Sequence, residues 1–208
     1  MLEELGRKFA RFTTNQVVKR PWAWPLFRRF TRLQFDRLAP VWDEMRSPEA
    51  FAPLEKALDS LPSPPAHVLD LGTGTGLAAF LLARRFPEAE VAGVDVSERM
   101  LEEARRNTPS ELAGRVRFEH ADAARLPYAD DSFELVSLAN MIPFFDELAR
   151  VTAPGGAVVF SFSAGPETPI YVPSEVLRGE LEKRGFADFA DFAVGTGTAL
   201  VARKPTEA

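Results

Sequence analysis

A glycine-rich turn is the segment of this sequence best suited to hold a ligand. It lies in VLDLGTGTGL, residues 68–77, where an apolar strand leads into the turn and a helix follows. Glycines let the backbone approach a bound molecule closely, and the start of the helix offers free N–H groups and the positive end of the helix dipole. We therefore predict that Gly72, Thr73, Gly74 and Gly76 contact a ligand. The alternative is a tight strand-to-helix turn that binds nothing.

Asp70, which precedes the first glycine by two residues, indicates what kind of ligand this turn accepts. Its carboxylate would repel the pyrophosphate of a dinucleotide, but it can accept hydrogen bonds from an ammonium group. The glycines are spaced G-x-G-x-G, whereas dinucleotide-binding turns have G-x-G-x-x-G. Both features favour a ligand with a positive charge over a dinucleotide.

Asp95 is a second candidate binding residue, because it ends the next apolar strand about 20 residues beyond the turn. At that position a carboxylate can accept hydrogen bonds from both hydroxyls of a ribose. Helix capping is the alternative role, but Ser97 is already placed to cap the helix that follows. Val96 and Met100 are expected to offer apolar faces to a base, unless they only belong to the core.

Asp122 is a third acid near a strand end, and it can accept a hydrogen bond from an adenine amino group. The alternative is an exposed turn residue, since aspartate is common in turns. No side chain is a convincing general base. His120 belongs to a strand and is expected to be structural, so we name no catalytic residue.

The elements that must position these residues alternate between strand and helix. Strands are predicted at 67–71, 91–95, 116–120, 133–139, 157–162, 186–194 and 198–203, and helices at 77–86, 98–107, 144–151 and 174–184. This alternation predicts an α/β fold with a mostly parallel sheet and helices on both faces. The last two strands are joined by Gly195-Thr196-Gly197, which predicts an antiparallel edge.

A basic, aromatic arm precedes this domain, and we divide the chain into an N-terminal helical arm or cap, residues 1–60, and a ligand-binding domain, residues 61–208. Residues 1–39 hold nine Lys or Arg and three Asp or Glu, a net charge of +6, while the rest of the chain carries −11. An amphipathic helix is predicted at 26–38, after a break at PWAWP, residues 21–25. The arm is expected either to contact an anionic membrane weakly or to pack on the acidic body as a lid.

The composition of the chain argues against a metal site, a membrane span and nucleic-acid binding. The chain has 208 residues, no cysteine and only two histidines, which lie far apart, so we expect no metal site. No segment approaches the roughly 20 apolar residues of a membrane span, and no secretory signal is recognised, so we expect a soluble, cytoplasmic protein. The acidic body is poorly suited to bind nucleic acid. Nothing in the sequence predicts the oligomeric state.

The motifs together identify a family resemblance that covers about residues 35–203. The matching segments are VLDLGTGTG at 68–76, GVDVSERML at 93–101, ADAARLPYADDSFELV at 121–136 and ELARVTAPGG at 147–156. The sequence resembles the class I S-adenosylmethionine-dependent methyltransferases, and within them the broad group typified by enzymes of ubiquinone and menaquinone biosynthesis. The resemblance implies a Rossmann-like sheet of strand order 3-2-1-4-5-7-6.

The resemblance also implies a cofactor and roles for single residues. S-adenosyl-L-methionine is the implied methyl donor and S-adenosyl-L-homocysteine the implied product. The residues implied to hold the methionine part are Asp70, Gly72, Gly74 and Gly76. Asp95 is implied to bind the ribose, and Asp122 with Ala123 to bind the adenine.

Two departures from the family pattern affect the candidate site. Trp42 stands where the family usually has a tyrosine. Its indole can pack on the cofactor or its sulfonium but cannot replace the hydroxyl, and a core role is the alternative. Asn140 lies in a shortened segment after the fourth strand, where it is a candidate partner of the methionine carboxylate. The function expected is methyl transfer to a small, hydrophobic acceptor chosen largely by the arm. An NAD-dependent oxidoreductase and a non-catalytic cofactor-binding module are the alternatives.

Overall fold

The computed structural model describes residues 2–45 and 47–206, and seven strands in these residues form one sheet. Met1, Arg46, Glu207 and Ala208 belong to the two predicted segments but lie outside the described residues. The strands are β1 (His67–Leu71), β2 (Glu90–Asp95), β3 (Val116–His120), β4 (Phe133–Ala139), β5 (Thr152–Phe162), β6 (Ala187–Val194) and β7 (Gly197–Arg203). The helices are α1 (Leu2–Lys19), α2 (Trp24–Leu38), α3 (Ala52–Leu58), α4 (Leu77–Arg85), α5 (Glu98–Arg106), α6 (Phe145–Val151) and α7 (Ser174–Glu182).

The strand order is β3-β2-β1-β4-β5-β7-β6, which confirms the prediction made from the family resemblance. Strands β1 to β5 pair in parallel, and β7 runs antiparallel to both β5 and β6. The strands β2 and β3 are added on one side of β1, and β4 and β5 on the other, so the order of strands switches between β1 and β4. Ligands of open α/β sheets bind at the carboxyl ends of the strands beside such a switch point. The fold therefore places a crevice next to the β1–α4 turn.

The central strands are apolar on both faces because helices cover both sides of the sheet. One face carries Leu69 and Leu71 into a core shared with Val136 and Phe160. The other face carries their neighbours in sequence, such as Val68, into a second core beneath α4. Successive side chains of a strand point to opposite faces, so both cores follow from the apolar runs of the sequence.

β5 begins at Thr152, five residues before the predicted strand, because Thr152 pairs with Phe133 across an irregularity in the ladder. The neighbouring Gly155 donates its N–H to the carbonyl of Lys204 over 2.9 Å. The backbone of this glycine-containing segment is therefore hydrogen-bonded to the residue that follows β7, although its sequence reads as a turn.

Helices α1 and α2 pack against each other through aromatic rings. The ring of Phe9 on α1 lies 4.4 Å from that of Phe30 and 6.4 Å from that of Phe27 on α2. Helix α1 was not predicted from the sequence. Helix α2 begins at Trp24, within the predicted break, with Pro25 in its first turn, where the missing N–H of proline costs nothing.

The inner side of the α1–α2 pair joins the body of the protein. Val17 and Trp24 are buried in the same apolar core as the sheet residues Leu69 and Leu71. The guanidinium of Arg11 donates to the backbone carbonyls of Pro166 and Thr168, over 2.7 and 2.9 Å. The arm thus covers the crevice at the carboxyl ends of the strands.

Candidate cofactor-binding site

The turn between β1 and α4 has a backbone that favours glycine. Gly72, Gly74 and Gly76 have φ angles of +72°, +55° and +88°, in the left-handed region that side chains with a Cβ disfavour. The N–H groups of Gly72 and Thr73 both donate to the carbonyl of Val94 on β2, over 2.9 and 3.0 Å. The turn is therefore held against the end of the neighbouring strand.

The three glycines have different surroundings. A Cβ on Gly74 would lie 3.4 Å from the indole nitrogen of Trp42, an ordinary contact distance, so its positive φ and not a lack of space favours glycine there. A Cβ on Gly76 would lie 2.8 Å from the ring of Phe118 and 2.9 Å from that of Phe80. Gly76 therefore permits close packing of α4 on the sheet and does not face the crevice.

Asp95 lies at the end of β2 with both carboxylate oxygens engaged by backbone. Its Oδ2 accepts from the N–H of Gly74 over 3.0 Å, and its Oδ1 accepts from the N–H of Ser97 over 2.8 Å. Burial raises the pKa of this carboxyl above its ordinary value, and the backbone hydrogen bonds partly oppose that effect. Each oxygen keeps a lone pair for a further donor.

Ser97 performs the capping role that was the alternative for Asp95. Its Oγ accepts from the N–H of Met100 over 3.2 Å at the start of α5, and its hydroxyl donates to Asp36 of α2 over 2.6 Å. The Asp95 carboxylate does not contact the N–H groups inside α5 and instead faces the β1–α4 turn.

Asp70 is buried, with 1% of its surface exposed, and its Oδ2 accepts from the hydroxyl of Thr73 over 2.6 Å. Neither residue lines the crevice. The pair instead braces the turn from beneath. Asn140 has a left-handed backbone, with φ of +54°, and its side chain hydrogen-bonds Ser163 in both directions, through Nδ2 to Oγ at 3.1 Å and through Oδ1 to the N–H at 3.0 Å.

Asp122 faces the arm. Its Oδ1 accepts from the indole N–H of Trp24 over 2.8 Å and from the N–H of Ala124 over 3.0 Å. Its Oδ2 pairs with the guanidinium of Arg28 at 2.7 Å. The carboxylate predicted from the sequence to meet an adenine therefore anchors α2 in this structure.

A cavity lies between the arm and the carboxyl ends of the strands, and eight of the twelve predicted binding residues line it. These are Trp42, Gly72, Gly74, Asp95, Val96, Met100, Ala123 and Asn140, while Asp70, Thr73, Gly76 and Asp122 lie outside the lining. Among the lining residues that sequence reasoning missed, those of the arm are Phe9, Ala10, Thr13, Thr31, Gln34 and Phe35. No motif marks them, because their position depends on how α1 and α2 dock.

Asp95 is the one charged residue in the lining of this cavity, as far as the described residues go. The described lining therefore supplies a carboxylate to a cation or to hydroxyl donors but no cationic side chain to an anion. In residues 2–45 and 47–206 we find no group of three or more His, Cys, Asp or Glu that could hold a metal ion. No helix in the same residues is long and apolar enough to cross a membrane.

Comparison with known proteins agrees with this geometry. Residues 68–156 match the family model of a methyltransferase domain. The chain is 43% identical over 150 residues to malonyl-[acyl-carrier protein] O-methyltransferase of Halorhodospira halophila, covering 68% of this chain and 50% of that protein. It is 39% identical over 147 residues to demethylmenaquinone methyltransferase of Thermus thermophilus, covering 64% of this chain and 66% of that protein.

The solved structure of an S-adenosylmethionine-dependent methyltransferase from Aquifex aeolicus has the same fold. Its TM-score is 0.64 at 22% identity, and the match covers 77% of this chain and 95% of that one. The sheet order and the turn beside Asp95 thus define a class I methyltransferase fold. The chain belongs to the class I S-adenosylmethionine-dependent methyltransferases, in the broad ubiquinone- and menaquinone-biosynthesis-like group.

S-adenosylmethionine is the cofactor of this family, and the residues of the cavity fit it. The ribose hydroxyls of that molecule need acceptors, and the carboxylate of Asp95 in the described lining can accept from both. The glycine turn lets a ligand lie close to the backbone, and Val96, Met100 and Ala123 supply an apolar wall suited to a purine.

The matched relatives are longer than this chain, which spans half of the first and 66% of the second.

Proposed function

We propose that this protein transfers a methyl group from S-adenosylmethionine to a small, hydrophobic acceptor held between the arm and the sheet. The observation that carries the proposal is the cavity itself. Its sheet side brings Asp95 and the glycine turn together, and its arm side adds aromatic residues such as Trp24 and Phe35. Cofactor-binding and acceptor-binding surfaces thus line the same space.

The binding roles follow from the contacts of each side chain. Asp95 accepts the ribose hydroxyls through the lone pairs that Gly74 and Ser97 leave open. Val96 and Met100 flank the adenine. The backbone of the turn and Asn140 hold the methionine part, while Asp70 maintains the turn through Thr73.

When bound, the cofactor supplies a methyl group on a positively charged sulfur, which is already activated for transfer to a nucleophile. The chain then has to align the acceptor and exclude water, and alignment alone can supply a large share of the rate enhancement. The arm helps both to align the acceptor and to exclude water, because α1 and α2 cover the crevice with Phe9, Trp24 and Phe35. In the described lining we find no His, Lys or Tyr that would act as a general base.

The charge of the cavity favours a neutral acceptor. Of the two relatives, one is named for a malonyl group on a carrier protein and the other for demethylmenaquinone. A malonyl group carries a carboxylate, which needs a cationic partner when it is buried. The described lining offers no Lys, Arg or His for it, so the side chains of the cavity favour a neutral molecule of the second kind.

Thermal unfolding with added ligands tests cofactor binding. A ligand at 100 times its dissociation constant adds about 2.7 kcal/mol to the free energy of unfolding. We expect S-adenosylmethionine and S-adenosylhomocysteine to raise the melting temperature and NAD to leave it unchanged. An equal shift with NAD would favour the oxidoreductase alternative.

Transfer itself is tested with cofactor labelled in its methyl group and a panel of neutral aromatic acceptors. Release of S-adenosylhomocysteine that depends on an added acceptor supports the proposal. Tight cofactor binding without transfer to any member of a broad panel would instead support a non-catalytic binding module.

The outer side of α2 supports a contact with an anionic membrane surface. Trp22, Leu26, Phe30 and Leu33 follow one another at helical spacing, with exposed fractions of 72, 75, 57 and 39%. These side chains form one apolar stripe on the outside of the arm. An apolar stripe of this kind can enter the headgroup region of a bilayer.

Basic side chains lie on the same helix as this apolar stripe. Arg29 and Arg32 lie on the same helix, are exposed, and make no ion pair with the described part of the chain. Each basic residue near an anionic surface contributes about 1 kcal/mol. We therefore propose that the outside of α2 attaches weakly to anionic bilayers, where a hydrophobic acceptor would concentrate.

Co-sedimentation with vesicles tests this attachment. The double substitution Trp22→Ser and Leu26→Ser should lower binding to vesicles of phosphatidylglycerol, and Val176→Ser, which alters an exposed apolar residue elsewhere, should not. Binding should also weaken with salt. Failure to bind at low salt, or equal binding to neutral vesicles, would exclude the contact. Dimerisation through α2 would appear as a larger species without vesicles.

A further inference from the structure

Two threonines of the arm have buried hydroxyls at the cavity. Thr13 on α1 and Thr31 on α2 both line it, and only 1% of the surface of Thr13 is exposed. The Oγ1 atoms of both residues are buried and have no hydrogen-bond partner. A buried hydroxyl without a partner destabilises a folded protein, so these two groups need an explanation.

Thr14 shows that a threonine hydroxyl in α1 can find a hydrogen-bond partner in the backbone of the helix itself. Its hydroxyl donates to the carbonyl of Ala10, one turn earlier, over 2.8 Å, which is the usual bond of a threonine inside a helix. Thr13, its neighbour in the same helix, does not make the corresponding bond. The hydroxyls of Thr13 and Thr31 therefore stay available to a molecule in the cavity.

The surroundings of these hydroxyls restrict what that molecule can be. Phe9, Phe35, Ile142 and Ile170 make the nearby lining apolar, and Asp95 supplies the charge in the lining formed by the described residues. A carboxylate or phosphate would meet no Lys, Arg or His of the described lining there, and two hydroxyls compensate little of the hydration that a charge loses. A neutral oxygen, by contrast, needs one or two hydrogen bonds, which two hydroxyls supply.

We propose that Thr13 and Thr31 form the polar part of the acceptor site and hydrogen-bond the oxygen of a neutral, largely apolar molecule such as a phenol, a quinol or a quinone. This inference rests on the proposed methyl transfer and deepens it, since it assigns residues that distinguish acceptors. Thr13 and Thr31 position the acceptor, and the apolar side chains around them provide most of the contact area.

Matched probes test the site by binding alone. With S-adenosylhomocysteine present, equilibrium dialysis compares 1-naphthol with naphthalene, which lacks the oxygen, and with 1-naphthoate, which carries a charge. We expect 1-naphthol to bind most tightly. Thr13→Val and Thr31→Val should each reduce its advantage over naphthalene by roughly 2- to 12-fold, the value of one neutral hydrogen bond. Thr14→Val should leave that advantage unchanged.

A second measurement distinguishes binding from a structural role. Because the hydroxyl of Thr13 has no partner in the protein, Thr13→Val should keep or raise the melting temperature while it weakens 1-naphthol. A lower melting temperature with unchanged probe binding would overturn the inference. So would an unchanged ratio of 1-naphthol to naphthalene in both valine variants.

The cofactor provides the control for the proposed function. If S-adenosylhomocysteine binds and the two probes bind equally well, only the acceptor site is wrong. If S-adenosylhomocysteine does not bind the unmodified protein, the proposed function itself fails.

Discussion

The indole nitrogen of Trp24 lies 2.8 Å from a carboxylate oxygen of Asp122, and this hydrogen bond joins the arm to the segment that follows β3. Arg28, one turn later on α2, pairs with the other oxygen of the same carboxylate at 2.7 Å. A single side chain of the body thus holds two successive turns of α2. The arm can uncover this side of the cavity only when both contacts break.

Trp24→Phe tests this anchor, because phenylalanine keeps an aromatic ring against Phe144 but removes the N–H donor. One hydrogen bond contributes about 0.5–1.5 kcal/mol, so hydrogen exchange of α1 and α2 should become faster than that of the sheet. Arg29→Ala, on the exposed side of α2, should not change the exchange. Equal protection of α2 in Trp24→Phe and the unmodified protein would show that packing alone holds the arm.

Asp95→Ala should weaken S-adenosylmethionine by about 1.5–3 kcal/mol, the range for hydrogen bonds to charged groups, because the ribose loses its acceptor. Isothermal titration calorimetry measures the change in affinity. Asp130→Ala, which removes an exposed carboxylate paired with Arg150, is the control and should bind normally. Normal affinity in Asp95→Ala would mean that Asp95 only fixes the backbone of Gly74 and Ser97.

The raised pKa of Asp95 predicts a pH dependence with a defined sign. A carboxyl whose pKa is higher in the folded than in the unfolded state binds protons more tightly when folded. Its contribution to stability therefore falls as the pH rises from the unfolded-state pKa to the folded-state pKa. Cofactor binding needs the carboxylate and should weaken in the opposite direction, as the pH falls from 7 toward about 4. Asp95→Asn should flatten the dependence of cofactor affinity on pH. An unchanged slope would assign that dependence to another group.

Ser97→Ala should lower the free energy of unfolding by about 0.5–2 kcal/mol, the usual cost of losing a helix cap. The serine accepts from Met100 at the start of α5 and donates to Asp36 of α2, so both α5 and the arm lose a contact. Urea denaturation measures the difference, with the exposed Ser110→Ala as control. A loss no larger than that of the control would show that water replaces both bonds.

Gly76→Ala should destabilise the fold by about 1–3 kcal/mol, because a φ of +88° is strained for alanine. The new Cβ would also lie within 2.9 Å of the rings of Phe80 and Phe118. Gly179→Ala is the matched control, since that position in α7 has no neighbour within 4 Å. Alanine there should stabilise the helix by about 0.5–1 kcal/mol. If both variants unfold at the same urea concentration, the strain at Gly76 is relieved by movement of the turn.

The sequence predicted the sheet well because local signals and tertiary position agree there. β1, β3 and β4 have the predicted bounds, since apolar runs between charged and glycine-rich segments mark buried parallel strands. Helix α1 was missed although Leu5, Phe9 and Phe12 recur at the spacing of one helix face. Phe12 is 53% exposed and Leu5 is 66% exposed, while Val17 is buried. Which of these side chains are buried depends on how the helix docks, and Arg11 fixes that docking through the distant carbonyls of Pro166 and Thr168.

The candidate site likewise has a part that local sequence predicts and a part that it does not. The glycine turn and Asp95 belong to one continuous strand–turn–helix pattern, so their proximity follows from local sequence. Thr13 and Thr31 reach the cavity only through the docking of α1, which Arg11 fixes by bonds to residues more than 150 positions away. The contact of Asp122 with Trp24 depends on the same docking, and no motif indicates it.

The two walls of the cavity come from separate stretches of the chain, the glycine turn with Asp95 from the family-matching residues 68–156, and Thr13 and Thr31 from the preceding helices. On the proposed assignment, acceptor choice and cofactor use depend on different stretches and can diverge independently during evolution. A relative with a different α1 and α2 could keep the same donor and modify another compound. Chimeras that exchange this segment, with the contacts of Arg11, Trp24 and Arg28 retained, offer a direct route to new acceptor specificity.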